Sequence, residues 1–341
     1  MNDKNNSIRQ ASILLFGLLA LLAACAPATP IAKPTDAPAR LKVNVQPYMG
    51  YAPLLIAKEE GHFHNYNIEA EFVEAASADA LPLVMQGQLD MSVAVISAGL
   101  FNAIERGGAG RVVLSLSQWN AGDCTSTGIV GRKAQIAPLR NVSTWKGLTM
   151  STNETGFQGM QGFFVHQLLA KNNLTLANLQ NSKLSAPAAL DALQSGAAPL
   201  AMLTEPWITQ ALSLGYGEIL YGGQDALPGA QLSVVVFSDR LLKSPDLGLR
   251  VAQAYLDAVR QYQHGASARN VEILAKYTGL EKDLLKKICW TTIPADGKLN
   301  LDNVMAFQQW AHAQGQLDKI VNPEKFWDGR FVDLVNKARP K

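Results

Sequence analysis

The stretch from Leu41 to Phe63, LKVNVQPYMGYAPLLIAKEEGHF, constrains the fold more than any other part of the chain. Leu41, Val43 and Val45 alternate with Lys42, Asn44 and Gln46, the two-residue period of a strand with one face more buried. Pro47 and Gly50 break that strand, with Tyr48 and Tyr51 between and beside them. Pro53 fits the first turn of a helix, where its missing N–H costs nothing. Leu54, Leu55, Ala57 and Lys58 continue the helix until Gly61 stops it. An apolar strand therefore ends in an aromatic loop that leads directly into a helix. In open α/β sheets, ligands collect beyond the carboxyl ends of strands, where such loops lie. The tyrosines of such a loop can equally be packing residues.

The strand–helix alternation continues. Ile68 to Val73, Met91 to Val95 and Arg111 to Leu116 read as strands, separated by helices over Asp79 to Gln86 and Ala98 to Arg106, with Ser97 as a cap. This order implies a parallel sheet with helices on both faces. The polar stretch Ser117 to Ser126, SQWNAGDCTS, reads as a crossing into a second domain. There Thr127 to Gly131, Leu148 to Ser151 and Leu200 to Leu203 are strands, and Leu232 to Phe237 is an apolar strand suited to a return crossing. Beyond Asp239 the pattern is helical, with Val251, Tyr255, Ala258, Val259 and Tyr262 forming one buried face.

The N-terminus stands apart. Lys4 and Arg9 precede the apolar run Ile13 to Leu22 and then Ala23-Ala24-Cys25, the layout of a secretory signal peptide. The run is shorter than the roughly 20 residues that a membrane helix needs. Residues 26 to 40, with Pro27, Pro30, Pro34 and Pro38, have the composition of an extended tether. A net charge of +2 with no dense basic run argues against nucleic-acid binding. Removing Cys25 leaves Cys124 and Cys289, which are free to pair or not in an oxidising compartment. No spacing suggests a metal site, His62 and His64 read as solvated turn residues, and no cofactor is expected.

Three further places invite a ligand. In Ser151 to Gly162, STNETGFQGMQG, a strand delivers hydroxyls and the Asn153 amide to a helix start whose free N–H groups suit an anion. The same composition also suits an ordinary capped helix, and Glu154 opposes an anion unless it points away. Glu205, in Glu205-Pro206-Trp207, emerges at a strand's carboxyl end, either as a helix N-terminal acid or as an acceptor for an amino-heterocycle. Trp119 and Asn120 sit in the crossing, where a ring can stack on a flat ligand or pack the hinge.

Gly50-Tyr51-Ala52-Pro53-Leu54 with Ala57-Lys58-Glu59-Glu60-Gly61 resembles the opening of the nitrate/sulfonate/thiamine-precursor family of ABC-transporter substrate-binding lipoproteins. Met85-Gln86-Gly87-Gln88-Leu89-Asp90, Trp145-Lys146-Gly147-Leu148, Ala192 to Gly196 leading to Glu205-Pro206, and Val235 to Leu242 resemble later segments in the same order, although Leu148 replaces the usual second basic residue. The resemblance implies a two-domain α/β fold of the periplasmic-binding-protein kind (type II), each domain a mainly parallel sheet flanked by helices, with a helical C-terminal part. It implies a signal peptide over 1–24 and a lipidated Cys25 that opens the linker 25–40. Domain I would be 41–120 plus 236–341, and domain II 121–235. It also implies a monomeric, non-enzymatic protein, lipid-anchored outside the cell membrane, that closes on a small molecule and docks onto ABC permease subunits.

By position, the ligand-binding residues are Tyr48, Tyr51, Ser97, Trp119, Asn120, Asn153, Thr155, Gly156, Glu205 and Trp207. Because these loops hold no arginine or lysine, the expected ligand is a flat nitrogen heterocycle, such as a thiamine-precursor pyrimidine or a flavin-like vitamin. The alternatives are an aliphatic sulfonate such as taurine, or nitrate. A pyrimidine-synthesising enzyme of the same superfamily is the rival reading, and the cysteine-rich motif of that branch is missing from this sequence.

Overall fold

A computed structural model describes residues 37–46, 48–153 and 155–338. The signal peptide, Cys25 and most of the linker expected from the sequence lie outside these residues, as do Pro47 and Glu154. The strands are β1 (Ala39–Val45), β2 (Ile68–Glu74), β3 (Met91–Val95), β4 (Arg111–Trp119), β5 (Thr127–Arg132), β6 (Thr149–Thr152), β7 (Gln180–Lys183), β8 (Leu200–Thr204), β9 (Gly217–Gly222) and β10 (Ala230–Phe237). They form two five-stranded sheets, ordered β2-β1-β3-β10-β4 and β7-β6-β8-β5-β9. Each sheet is the centre of one lobe within the compact unit Pro38–Lys341.

Each sheet is mixed, with four strands running one way and one strand against them. In lobe I, β1 runs parallel to β2 and β3, but β10 is antiparallel to β3 and β4. In lobe II, β6 runs parallel to β7 and β8, but β5 is antiparallel to β8 and β9. The reason is topological. The first pairs of β10 and β5 are Ala230 with Trp119 and Thr127 with Thr204, so each strand enters its sheet at the end where its neighbours finish. A chain arriving from the other lobe can only run the opposite way. The return strand starts at Ala230 and pairs with β3 and β4 of lobe I. Strands β7 and β9 carry no strong alternation in sequence and were not expected.

Seven helices matter for the site: α1 (Ala52–Glu59), α2 (Ser77–Met85), α3 (Ala98–Glu105), α4 (Met160–Ala170), α5 (Trp207–Ser213), α6 (Pro245–Tyr262) and α7 (Leu301–Ala313). Helix α6 buries Val251, Tyr255, Ala258, Val259 and Tyr262, as its period requires. It packs against α1 on one face of the lobe I sheet. Helix α4 of lobe II is the bridge to lobe I. Its Phe163 ring lies 5.2 Å from Trp310 and 6.4 Å from Phe307 on α7, and Phe164 lies 5.8 Å from Trp119. Aromatic pairs at these separations stabilise beyond the area that they bury, so one apolar core runs through both lobes.

Candidate functional site

The lobes meet along two seams. On the first, β3 delivers Ser97 to the start of α3, and its hydroxyl caps that helix by accepting from the Leu100 N–H at 3.4 Å. Facing it, the loop after β6 delivers Gly159 to the start of α4, and Ser97 and Gly159 form an antiparallel bridge. The Ala98 N–H donates to the Gln158 carbonyl, and the Met160 N–H to the Ile96 carbonyl, both at 3.0 Å. Glycine at 159 permits this approach, because a Cβ there would stand 3.3 Å from the Ile96 oxygen. The amino ends of two helices, one from each lobe, therefore meet at one point. Part of each helix start's N–H set is spent on this bridge and on the Ser97 cap, and each end keeps the positive end of its dipole.

The loop before α4 is held by its own side chains. Asn153 Oδ1 accepts from the Thr155 N–H at 3.1 Å and from its hydroxyl at 2.7 Å, and the Gly156 N–H donates to the Asn153 carbonyl at 3.0 Å. Gly156 has φ 59°, and a Cβ there would stand 2.7 Å from Asn181 Nδ2 and 2.8 Å from Lys183 Cε. The Lys183 side chain, at the end of β7, thus lies against this loop. Behind the loop, Ser151 Oγ and Gln161 Oε1 are buried without a hydrogen-bond partner among the described residues.

Beside the bridge opens a cavity of about 690 Å³. Ser97, Thr155 and Gln158 line its end at the seam, and α2 and α3 form its walls within lobe I. Two of the expected ligand residues, Ser97 and Thr155, therefore share one cavity, and Asn153 and Gly156 shape the loop that carries Thr155.

The second seam is built differently. The Glu205 carboxylate is buried and accepts from the Thr209 N–H at 3.0 Å, the Thr209 hydroxyl at 2.8 Å and the Cys289 N–H at 3.0 Å. Burial pushes its pKa above the ordinary carboxylate value, against the three hydrogen bonds that favour the charged form. Cys289 is disulfide-bonded to Cys124 in the crossing, which closes the question that the sequence left open. Glu205 is thus a helix N-terminal acid that also ties α5 to the C-terminal segment. Three of its roughly four acceptor positions are engaged within the protein, so its main role is structural.

The remaining expected residues part company. Tyr51 is a core residue, 3% exposed, and its hydroxyl donates to Asn44 Oδ1 at 3.1 Å. Asn44, expected on the more exposed face of β1, is fully buried, and its amide donates to the Val73 and Ala75 carbonyls. Both faces are covered only toward the carboxyl end of β1, beyond the exposed Lys42, so Asn44 became an internal fastener. Trp119 is 1% exposed and packs on Phe164 and Gly223, which makes it a hinge-packing ring rather than a ligand platform. Asn120 opens the turn of the crossing, its N–H donating to Asp123 Oδ2 at 3.0 Å. Trp207 is half-buried against the lobe II core. Tyr48, 48% exposed, is the one expected ring open to solvent. His62 is not a wholly solvated turn residue, because its Nε2 is buried.

Sequence reading missed Lys183, Gln158 and Gln161. Lys183 closes a short polar strand with no apolar signal, and only β6–β7 pairing brings it beside Gly156. No group of three or more metal-ligating side chains occurs among the described residues.

Several solved structures share this fold. A zinc-bound ligand-binding component of an ABC-type import system from Staphylococcus aureus is 16% identical, with a TM-score of 0.72 over 86% of this chain and 98% of that one. The alkanesulfonate-binding protein SsuA from Xanthomonas axonopodis, bound to MOPS, is 18% identical, with a TM-score of 0.70 over 86% and 99%. The desulfurization enzyme DszB has the same fold at 14% identity, with a TM-score of 0.59 over 88% and 100%. No curated protein matches the sequence. The NMT1-like family model matches residues 35–277, most of the chain, and the protein belongs to the NMT1-like family.

Proposed function

We propose that this protein is the ligand-capturing component of an ABC-type import system and that it takes a small molecule with an anionic head, such as a sulfonate, at the Ser97–Gly159 seam. The observation that carries this reading is the meeting of two helix amino ends, α3 and α4, from opposite lobes beside a cavity. Both dipoles favour negative charge at that point, and Lys183 adds a formal positive charge to the same loop. Ser151 Oγ at the end of β6 and Gln161 Oε1 on α4 are buried without a hydrogen-bond partner among the described residues, polar atoms with no internal use beside that loop.

The nitrogen-heterocycle reading rested on Glu205 as a free acceptor and on loops without a cation. Glu205 is engaged by Thr209 and Cys289, and Lys183 supplies the cation, so the geometry favours the sulfonate alternative. A transport role also suits the cysteines, since Cys124 and Cys289 are joined and leave no thiol nucleophile among the described residues. In this reading Cys25 carries the lipid that holds the protein outside the membrane, and the crossings 120–126 and 223–229 flex as the lobes close on ligand. Permease subunits then receive the closed form.

The test is a thermal-shift panel of sulfonates, nitrate, pyrimidines and flavins, with native mass spectrometry of the freshly purified protein. A ligand at a hundred times its dissociation constant adds about 2.7 kcal/mol of stability. Stabilisation by sulfonates is the expected result. Stabilisation by a pyrimidine or a flavin alone overturns the anionic-head reading.

A further inference from the structure

We propose that Trp119 and Trp310 set how firmly the lobes close. Each loses the hydration of its indole N–H when helix α4 packs on it, so closure carries an opposing force that governs ligand affinity and release. The inference rests on the ligand-capturing reading given above and names the residues that tune it.

Helix α4 offers two consecutive rings to lobe I. Phe163 lies 5.2 Å from Trp310 of α7, and Phe164 lies 5.8 Å from Trp119 at the end of β4. Both tryptophans are buried, and both indole Nε1 atoms lack a hydrogen-bond partner among the described residues. By contrast, two tryptophans outside the contact between α4 and lobe I are satisfied. Trp145 donates to the Leu139 carbonyl at 2.8 Å, and Trp290 to the Leu285 carbonyl at 3.2 Å. A buried indole N–H usually finds such an acceptor. Trp119 and Trp310 depart from that rule on the surface where a lobe II helix meets lobe I.

Two effects oppose each other there. Ring packing holds the lobes together. A donor buried without an acceptor bears its full desolvation penalty, which water relieves once the cover withdraws. Phe163 and Phe164 are that cover. Gly223, in the second crossing, also lies against the Trp119 ring, where a Cβ would stand 2.6 Å from Cδ2. A movement of α4 and the crossing therefore rehydrates the indoles. A ligand that needs the closed form binds more weakly in proportion to how rarely that form is populated, so the two N–H groups lower affinity and favour release.

The test places benzothienylalanine, an indole isostere with sulfur in place of the N–H, at one tryptophan position at a time in the full chain. Small-angle scattering reads lobe separation without ligand, and calorimetry reads affinity for butanesulfonate as the probe. At 119 or 310 the closed-to-open ratio should rise by at least about fivefold, the lower end of the penalty for an unsatisfied donor. The radius of gyration then falls and butanesulfonate binds more tightly. At 145 the isostere removes a satisfied hydrogen bond, so the protein should unfold at lower denaturant with no change in radius or affinity.

An unchanged radius at both 119 and 310 overturns the inference, and so does an equal response at 145. If one isostere protein fails to fold by circular dichroism, the other position carries the test. The anionic-head reading fails separately, when butanesulfonate binds no form of the protein, and scattering alone then decides whether the indoles oppose closure.

Discussion

At the Ser97–Gly159 seam the lobes are joined by two backbone hydrogen bonds through a glycine, next to a cavity. At the Glu205–Cys289 seam they are joined by a buried carboxylate whose partner residue is covalently fixed to the crossing. Backbone N–H and carbonyl groups that part can re-bond to water, so these two hydrogen bonds themselves open at small net cost, while the Phe163 packing on Trp310 and Phe307 beside them adds to it. A buried carboxylate that parts from its donors leaves those donors unsatisfied, so the second join opens only at considerable cost. On the reading proposed above, the contrast assigns the ligand-facing edge to Ser97–Gly159 and the firmer join to Glu205 and the disulfide.

The largest test of that contrast removes the covalent element. Cys289→Ser opens a linkage spanning 165 residues of sequence and should cost about 3–5 kcal/mol in denaturant melts. Sulfonate affinity should change little, since the disulfide lies away from the ligand seam. A collapse of affinity with modest loss of stability would reverse the roles assigned to the two seams.

Next in size is Glu205. Glu205→Ala leaves the Cys289 and Thr209 N–H groups without their acceptor and should cost about 2–3 kcal/mol. Its charge gives a second handle. The native pKa stands above the ordinary value, so the folded protein holds a proton that the unfolded chain releases. This group's contribution is therefore most favourable at low pH, and it declines as pH rises from the ordinary carboxylate value through the native one. Urea melts across that window should show the decline in the native protein and a flatter profile in Glu205→Gln. An equal slope in both would mean that Glu205 titrates normally and that the seam is wetter than its contacts imply.

The third test addresses the reversible seam. Gly156→Ala forces a side chain into a left-handed backbone and against Asn181 and Lys183, which should cost roughly 1–2 kcal/mol. Because the same loop carries Thr155, sulfonate affinity should fall as well, measured by calorimetry. Unchanged affinity in the destabilised variant would detach the loop from the site.

What was legible in the sequence follows from which residues carry a period. The strand–helix alternation and the buried face of α6 could be read because apolar residues recur at regular spacing. Antiparallel β5 and β10 could not, because strand direction depends on which end of the sheet the chain re-enters. Tyr51 and Trp119 show the limit for sites. An aromatic in a loop-like stretch has the same sequence signature whether it faces a ligand or, as here, packs in the core with Asn44 or Phe164. Glu205 was correctly placed at the end of its strand, but its partner, the Cys289 N–H, lies 84 positions away, beyond any local pattern.

Lys183 gives the smallest effect and the sharpest discrimination. Its side chain reaches the Gly156 loop from β7, and it is the cation that sequence reading failed to supply. The residue is exposed, so its attraction for an anion is screened and resembles a surface ion pair of about 0.2–1 kcal/mol. Lys183→Met should therefore weaken a sulfonate by up to about fivefold at low ionic strength, with no loss of stability. At 1 M salt, where the Debye length is about 3 Å, the two proteins should converge. A neutral heterocycle should bind both equally under either condition. Equal sulfonate affinity at low salt would move the head group away from β7, leaving the two helix amino ends to bind it alone.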